Sequence, residues 1–514
     1  MNRNAERGVA LILTLILLAV LSVMAVSFMF LSQSETWSTM NYRLTSQARD
    51  AAEAGLNSAT NYIVNTYTGP VTGAGCATDV IGCYTLTSLP VKVVANGNPV
   101  VLSGNAAVTS NYPIAAVQTA FNTTGVGFGT ITATVGAITT TANYATSATL
   151  LSMRQITVYG GAVSTVQTWQ IVSDGTISNG VRNAKEELSV TLEKPILPMF
   201  NFAAFAASNQ CSALTFSQPN TSTDSYDSSL PGQPAGILAS DGNVGTNGNL
   251  NSSTAQINGI LASPAVGTGV CANGAGGATT AETAAGGNVA TGGLVELPQP
   301  ITYPTPVIPG CPAANCMPPL TNQSLGTSCS PIPASGCTDL ASKKVRLLPG
   351  NFGNLSIGSS MTDVHLIPGT YNINSFTSGN VNLIIDGPGP TILNVGGCAT
   401  LNANSSACAT NLASPIDFSS SGVSNPTYVA LNFQIQYGGP GAVNVKCGNT
   451  GVAAVLYAPN AAVTLSANGS FYGAVIGNTV TVSSGANLNY DRNLQDSGYN
   501  VGNFALGGFS WAKF

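Results

Sequence analysis

The chain has 514 residues, of which 57 are Gly and 28 Pro, and only 7% are charged, against roughly 25% in an ordinary soluble domain. Its 15 Lys and Arg are scattered against 20 Asp and Glu, for a net charge of −5; nucleic acid is therefore excluded as a partner, because no basic patch could replace phosphate counterions. Ser, Thr, Asn and Gly stand where Lys and Glu would be, the profile of a β-rich protein working outside the cytosol, and the 44% apolar content still provides a core.

The amino terminus is the most informative segment. Eight polar residues, 1–8, precede an apolar run over residues 9–31 that only Thr14, Ser22 and Ser27 interrupt. As a helix this run rises about 35 Å, enough for a hydrocarbon core of roughly 30 Å. Arg3 and Arg7 place the preceding end in the cytoplasm by the positive-inside bias. The run lacks an Ala-x-Ala-like end, so the segment reads as retained rather than removed as a signal peptide. Beyond it Trp37, Met40, Leu44, Ala48, Ala52, Leu56, Ala59 and Ile63 recur at steps of three and four, which predicts one continuous helix over residues 9–64. Its first half is apolar all round and its second half amphipathic.

Glu6-Arg7-Gly8-Val9-Ala10-Leu11-Ile12-Leu13, with Ala51-Ala52-Glu53-Ala54-Gly55-Leu56 some forty residues on, resembles the amino-terminal domain of PilX-type minor pilins. The resemblance implies that a prepilin peptidase cuts after Gly8 and leaves Val9 as the first, N-methylated, residue. It implies too that the subunit waits in the inner membrane before joining other pilins. Major pilins carry Glu at the fifth mature position, where this chain has Leu13; Leu cannot pair with a neighbour's amino terminus, which fits a minor or initiating subunit. Glu53 is a second candidate for assembly, with a solvated helix charge as its plainer reading.

The remainder reads as mostly β, so the expected class is α+β: a long transmembrane pilin helix, a small antiparallel β region, then a parallel β-helix. The boundaries are a leader at 1–8, a transmembrane and amphipathic helix at 9–66 and a β-rich pilin-like region with an insert at 67–198. A β-helix domain at 199–500 follows, interrupted by a Gly/Pro-rich arm at 272–342, and a tail at 501–514. Strand-like runs at 156–159, 168–172 and 187–192 are separated by Asp174-Gly175 and Asn179-Gly180, both read as turns. Pro-Gly pairs at Pro349, Pro368 and Pro388, and Ala-Val pairs at Ala454 and Ala474, recur at a period near twenty, the mark of stacked coils. A Greek-key sandwich is the alternative. The block from Leu456 to Asp491 also resembles a β-helical domain fused to pilin-like anchors in bacterial surface proteins.

Eleven cysteines occur. The close pairs Cys76 and Cys83, Cys311 and Cys316, Cys329 and Cys337, and Cys398 and Cys408 read as disulfides of an oxidising compartment, while Cys211, Cys271 and Cys447 have no neighbour in sequence. No tetrad spacing calls for zinc, and no cofactor is expected. His365, the single His, would have to anchor any Ser-His-Asp site, and no carboxylates pair at a one-coil spacing as glycan cleavage would need. The chain thus reads as a non-enzymatic pilin-like subunit of a type IV pilus or related filament. It would lie in the inner membrane with an extracytoplasmic head, on the pilus or cell surface after assembly, with a surface or glycan as candidate ligand. The rivals are a membrane-anchored carbohydrate-binding or carbohydrate-cleaving β-helix protein and a plain signal-anchored surface protein.

Overall fold

The computed structural model describes residues 3–513 except 77, 136–137, 179–181, 219–220, 231, 233, 235, 253–254, 285–288, 308–321, 402–407, 449–450 and 468. It is a long amino-terminal helix followed by mostly β structure. The chain forms two compact units, one of Met1–Gln155, Thr165–Pro195 and Phe504–Phe514, the other of Ile156–Ser164 and Ile196–Asn503.

In the first unit the helix runs Arg3–Asn65 without a break, as the absence of Pro before Pro70 allows. The apolar residues from Leu11 to Leu31 are all exposed, and burial starts at Leu44 and continues through Ala48, Ala51, Ala52, Leu56, Ala59 and Ile63. That buried stripe lies on an antiparallel sheet ordered Val101–Ser103, Ile138–Thr157, Val163–Ser178, Asn183–Glu193, Ala505–Lys513, with Phe128–Val135 pairing Ile138–Thr157. Trp169, Ile171, Leu188, Val190 and Leu192 close the core beneath the helix.

Two expectations fail here for physical reasons. Asp174-Gly175 is no turn: it lies inside Val163–Ser178, with Gly175 paired to Glu186, because the glycine is needed for close helix approach rather than for a left-handed conformation. Asn179-Gly180, the other expected turn, lies outside the described residues. Residues 501–514, read as a tail, supply the strand Ala505–Lys513, which pairs with Asn183–Glu193. Its apolar face makes this favourable, since Phe509 and Trp511 stand opposite Val190 and Leu188.

A buried polar knot holds the insert of the first unit. Asp79 accepts hydrogen bonds from Tyr84 (2.6 Å) and Tyr112 (2.5 Å), and Gln167 donates to Tyr67 (3.2 Å) and accepts from Trp169 (3.2 Å). Desolvation raises the phenol pKa of Tyr67, Tyr84 and Tyr112, so all three stay neutral, Tyr84 and Tyr112 as donors to Asp79 and Tyr67 as an acceptor. Cys76–Cys83 closes the loop beside them.

The second unit is dominated by parallel pairing. Gly350–Ile357, Gly369–Ser378, Thr391–Val395, Phe433–Tyr437, Val452–Ser466 and Ser470–Val482 pair in succession, all parallel. A second parallel ladder links Lys344–Leu347, Asp363–Leu366, Asn382–Ile385 and Gly422–Ser424. Side chains in register form continuous buried columns, one of them Tyr371, Leu393, Ile435, Leu456, Val475, Ala204, Val244 and Leu261, ending on the half-buried Leu294. Each rung therefore buries its apolar row only against the next, and the amide ladder Asn351–Asn372–Asn394 (2.8 and 3.0 Å) follows the same stacking on the outer side.

The column shows that spatial order departs from sequence order. Ala204–Ala206 pairs with Ser470–Val482, and Ser222–Tyr226 with Asn487–Asp491, so the unit's first strands stack on its last. Val244–Thr246, Leu261–Ser263 and Leu294–Glu296 continue outward from there. The stretch 272–342, expected as an arm, is partly rung, since Glu282–Ala284 and Leu294–Glu296 belong to the stack. Among the described residues, 297–307 run as an arm. Asn247 and Ile301 exchange two hydrogen bonds at 2.8 Å, Tyr303 packs on Phe205 at 5.0 Å, and Asn460 donates to Thr305 at 3.0 Å. The segment thus crosses successive rungs, a path on which proline loses nothing by lacking an N–H.

Candidate assembly site

The amino-terminal helix is the candidate site, and its chemistry divides at Trp37. Residues 10–36 are exposed throughout, and Ala10–Asn65 contains a stretch of mean hydropathy 2.8, long enough to cross a bilayer. Thr14, Ser22 and Ser27 return their hydroxyls to carbonyls of the preceding turn, so even these polar residues present no unsatisfied donor to an apolar medium.

Gly8 and Val9 lie on the continuous helix, and their side-chain surroundings lie outside the described set. Leu13 is 62% exposed, on the bare part of the helix, available to whatever surrounds it. Glu53 pairs instead with Arg49 of its own helix, at 2.8 Å with i,i+4 spacing and both side chains nearly half exposed. Such a pair is worth at most about 1 kcal/mol. Arg49 in turn stacks over Trp511 at 5.2 Å, and the Trp511 indole donates to Glu186 at 2.9 Å.

The Ala51-Ala52-Glu53-Ala54-Gly55 segment has a packing explanation. A β-carbon on Gly55 would lie 2.5 Å from the Ser173 hydroxyl and 2.6 Å from the Tyr144 ring, and one on Gly175 would strike Ala48 and stand 2.6 Å from the Ala52 nitrogen. Small residues on both sides let the helix lie directly on the strands, with Glu53 on the outer side. Sequence reading marked the motif but missed Gly175, Arg182 and Trp511. The alternation Phe509-Ser510-Trp511 was the available strand signal for the last of these.

Disulfides form at Cys76–Cys83, Cys329–Cys337 and Cys398–Cys408, and also at Cys211–Cys271, which sequence reading left unpaired. Cys311 and Cys316 lie outside the described residues. Cys447 is free and buried, and burial pushes its thiol up to about 12. Among the described residues no cluster of three or more His, Cys, Asp or Glu could hold a metal. His365 Nδ1 is 2.7 Å from Asp386, whose other oxygen accepts from Arg346 at 3.2 Å; the three residues bridge stacked strands as a hydrogen-bond network.

Residues 7–57 match the family model "PilX N-terminal", and residues 362–497 match "Domain of unknown function (DUF7305)". Among solved structures, the competence-associated pilin ComZ from Thermus thermophilus aligns at 13% identity and a TM-score of 0.26, over 92% of this chain and 98% of that one. No curated protein matches the chain. Its amino-terminal segment, residues 7–57, is of the pilin type.

Proposed function

We propose that the chain is a minor-pilin-like subunit of a type IV pilus or related filament, with a β-helical head that serves assembly or adhesion rather than catalysis. The observation that carries the reading is the division of one continuous helix, whose apolar half stands bare while its other half is seated on a sheet. A bare apolar helix needs either lipid or the helices of other subunits, and a pilin passes from the first to the second. In this reading a prepilin peptidase cuts between Gly8 and Val9, Val9 is methylated, and Leu13 deprives the helix of the carboxylate that a repeatedly stacked subunit would use. The parallel ladders and their columns in register support coils of a β-helix for the head, displayed toward a surface or glycan.

The test is amino-terminal and intact-mass analysis of the protein from its native membrane, beside Gly8→Leu. The expected mature chain begins at Val9 and disappears in the variant, and filaments isolated from the wild-type cell contain the subunit. A chain beginning at Met1 in both would overturn prepilin processing and leave a signal-anchored surface protein.

A further inference from the structure

On one face of the second unit the outward residues of successive rungs share one chemistry. Ser356, Thr377, Asp417, Asn444, Thr464 and Thr481 stand in register, each paired to the next. All six are at least partly exposed, whereas their strand neighbours point into the core, as Val463 and Leu465 do beside Thr464. At the spacing of hydrogen-bonded strands the file is about 24 Å long. It continues through Thr215, Asn251 and Thr283, but these three are used within the protein. Thr215 donates to the Ser212 carbonyl at 3.0 Å, Asn251 to Ser212 Oγ at 3.2 Å and Thr283 to the Gly269 carbonyl at 2.9 Å. Among the described residues, the side chains of Thr377, Asn444, Thr464 and Thr481 make no hydrogen bond. Other outward columns differ: Lys344, Arg346 and His365 are tied to Asp363 and Asp386, and Tyr457, Ile476 and Phe205 form an apolar column beneath Tyr303 of the arm.

We infer that this file is a docking face for one extended, neutral, β-linked polysaccharide laid along the stack, one sugar to a rung. The inference deepens the displayed-head reading above and rests on it. Asp417 and Lys446 are the only charged residues on the six strands that carry the file, so the face has no net charge to recruit an acidic polymer. A β-linked chain held straight repeats its hydroxyls at close to the strand spacing, and hydroxyl and amide groups can meet it rung after rung. No aromatic ring faces outward in the file, since Phe376 and Phe418 are buried; a short soluble sugar would find no stacking platform. One hydroxyl contact exchanged for water is weak, and only contacts made together hold a partner. A chain already straight, as on the surface of an insoluble fibre, supplies them without an ordering cost.

The detergent-solubilised full-length protein is sedimented with microcrystalline cellulose, with chitin and with calcium alginate beads. It should be retained by cellulose or chitin and not by the acidic gel, and cellobiose, which reaches only two rungs, should not release it. Thr464→Val with Thr481→Val removes two hydroxyls, keeps the branched shape that strands favour, and should weaken retention about tenfold. Thr370→Val, an exposed change on the segment paired with Thr391–Val395, should leave retention unchanged. Asn444→Ala, which should also weaken it, tests the same file if the valine pair fails to fold. Full retention of both file variants, release by cellobiose, or equal retention by alginate overturns the docking face. A head shielded from protease added to spheroplasts overturns display and the inference with it, whereas an accessible head that ignores both fibres overturns the inference alone.

Discussion

Gly175 and Ala48 meet backbone to backbone: a β-carbon on the glycine would overlap the Ala48 carbonyl and stand 2.6 Å from the amide nitrogen of Ala52. This contact sets how closely the helix lies on the sheet, and the strand cannot yield without breaking its pairing with Glu186. Gly175→Ala is expected to destabilise the first unit by about 2–3 kcal/mol, the upper part of the overpacking range. Gly508→Ala, where an added β-carbon meets nothing within 4 Å, should stay within about 0.5 kcal/mol. Denaturant unfolding of the detergent-solubilised chain, followed by emission of the buried Trp169, compares the two.

Cys211–Cys271 closes a sequence separation of 60 residues and Cys329–Cys337 one of 8. The chain-entropy model gives the longer loop about 2 kcal/mol more stabilisation. Replacing both members of each pair by Ser should therefore lower the unfolding midpoint of the head more for Cys211 and Cys271. Equal losses in calorimetry would show that the pairs act through native contacts instead.

Asp363 accepts from Lys344 at 2.7 Å and from Asn382 at 2.9 Å, across two neighbouring strands. These bonds, Lys344 first, hold its carboxyl below the ordinary value of 3.8. Because the folded value lies below the unfolded one, the stabilisation is fully present above 3.8 and disappears as pH falls through the folded value. Asp363→Asn should thus be less stable than wild type at neutral pH, and the gap should close in acid. Lys344 is about half exposed, so screening keeps the gap small; urea midpoints measured across that pH range give its size.

Cys447 should resist alkylation in the folded chain at neutral and mildly alkaline pH. Its thiol is buried and pushed up to about 12, so the reactive thiolate is scarce and hidden. Denaturation without reductant should expose it to iodoacetamide, read by mass spectrometry of the tryptic digest.

The helix was legible because its signals are local. An uninterrupted apolar run and spacings of three and four carry it to Asn65 without help from distant residues. The period near twenty at Pro349, Pro368 and Pro388 likewise reflects rungs that succeed one another in sequence. What stayed hidden depends on partners far along the chain. Nothing near Ala204 announces Val475, nothing near Cys211 announces Cys271, and Trp511 finds its place only against Leu188. Asp174-Gly175 misled because glycine in a strand can serve an approaching helix as well as a bend, and only the position of Ala48 distinguishes the two.

The stacking of Ala204 on Val475 also has a consequence for biogenesis. In the proposed membrane-anchored reading, as the chain leaves the ribosome and crosses the membrane, the strands at 204–206, 214–216 and 222–226 emerge with one of their two pairing surfaces still unsynthesised. Residues 244–257 can cover one edge of them early, but the other edge must wait until residues 470–491 arrive. The helix can form at once, whereas the head closes only when almost the whole polypeptide has been exported. Premature termination even shortly before residue 470 would leave one edge of the early strands, whose other edge pairs with residues 244–257, uncovered and open to proteases and aggregation. In that reading an intact head is a record of complete export.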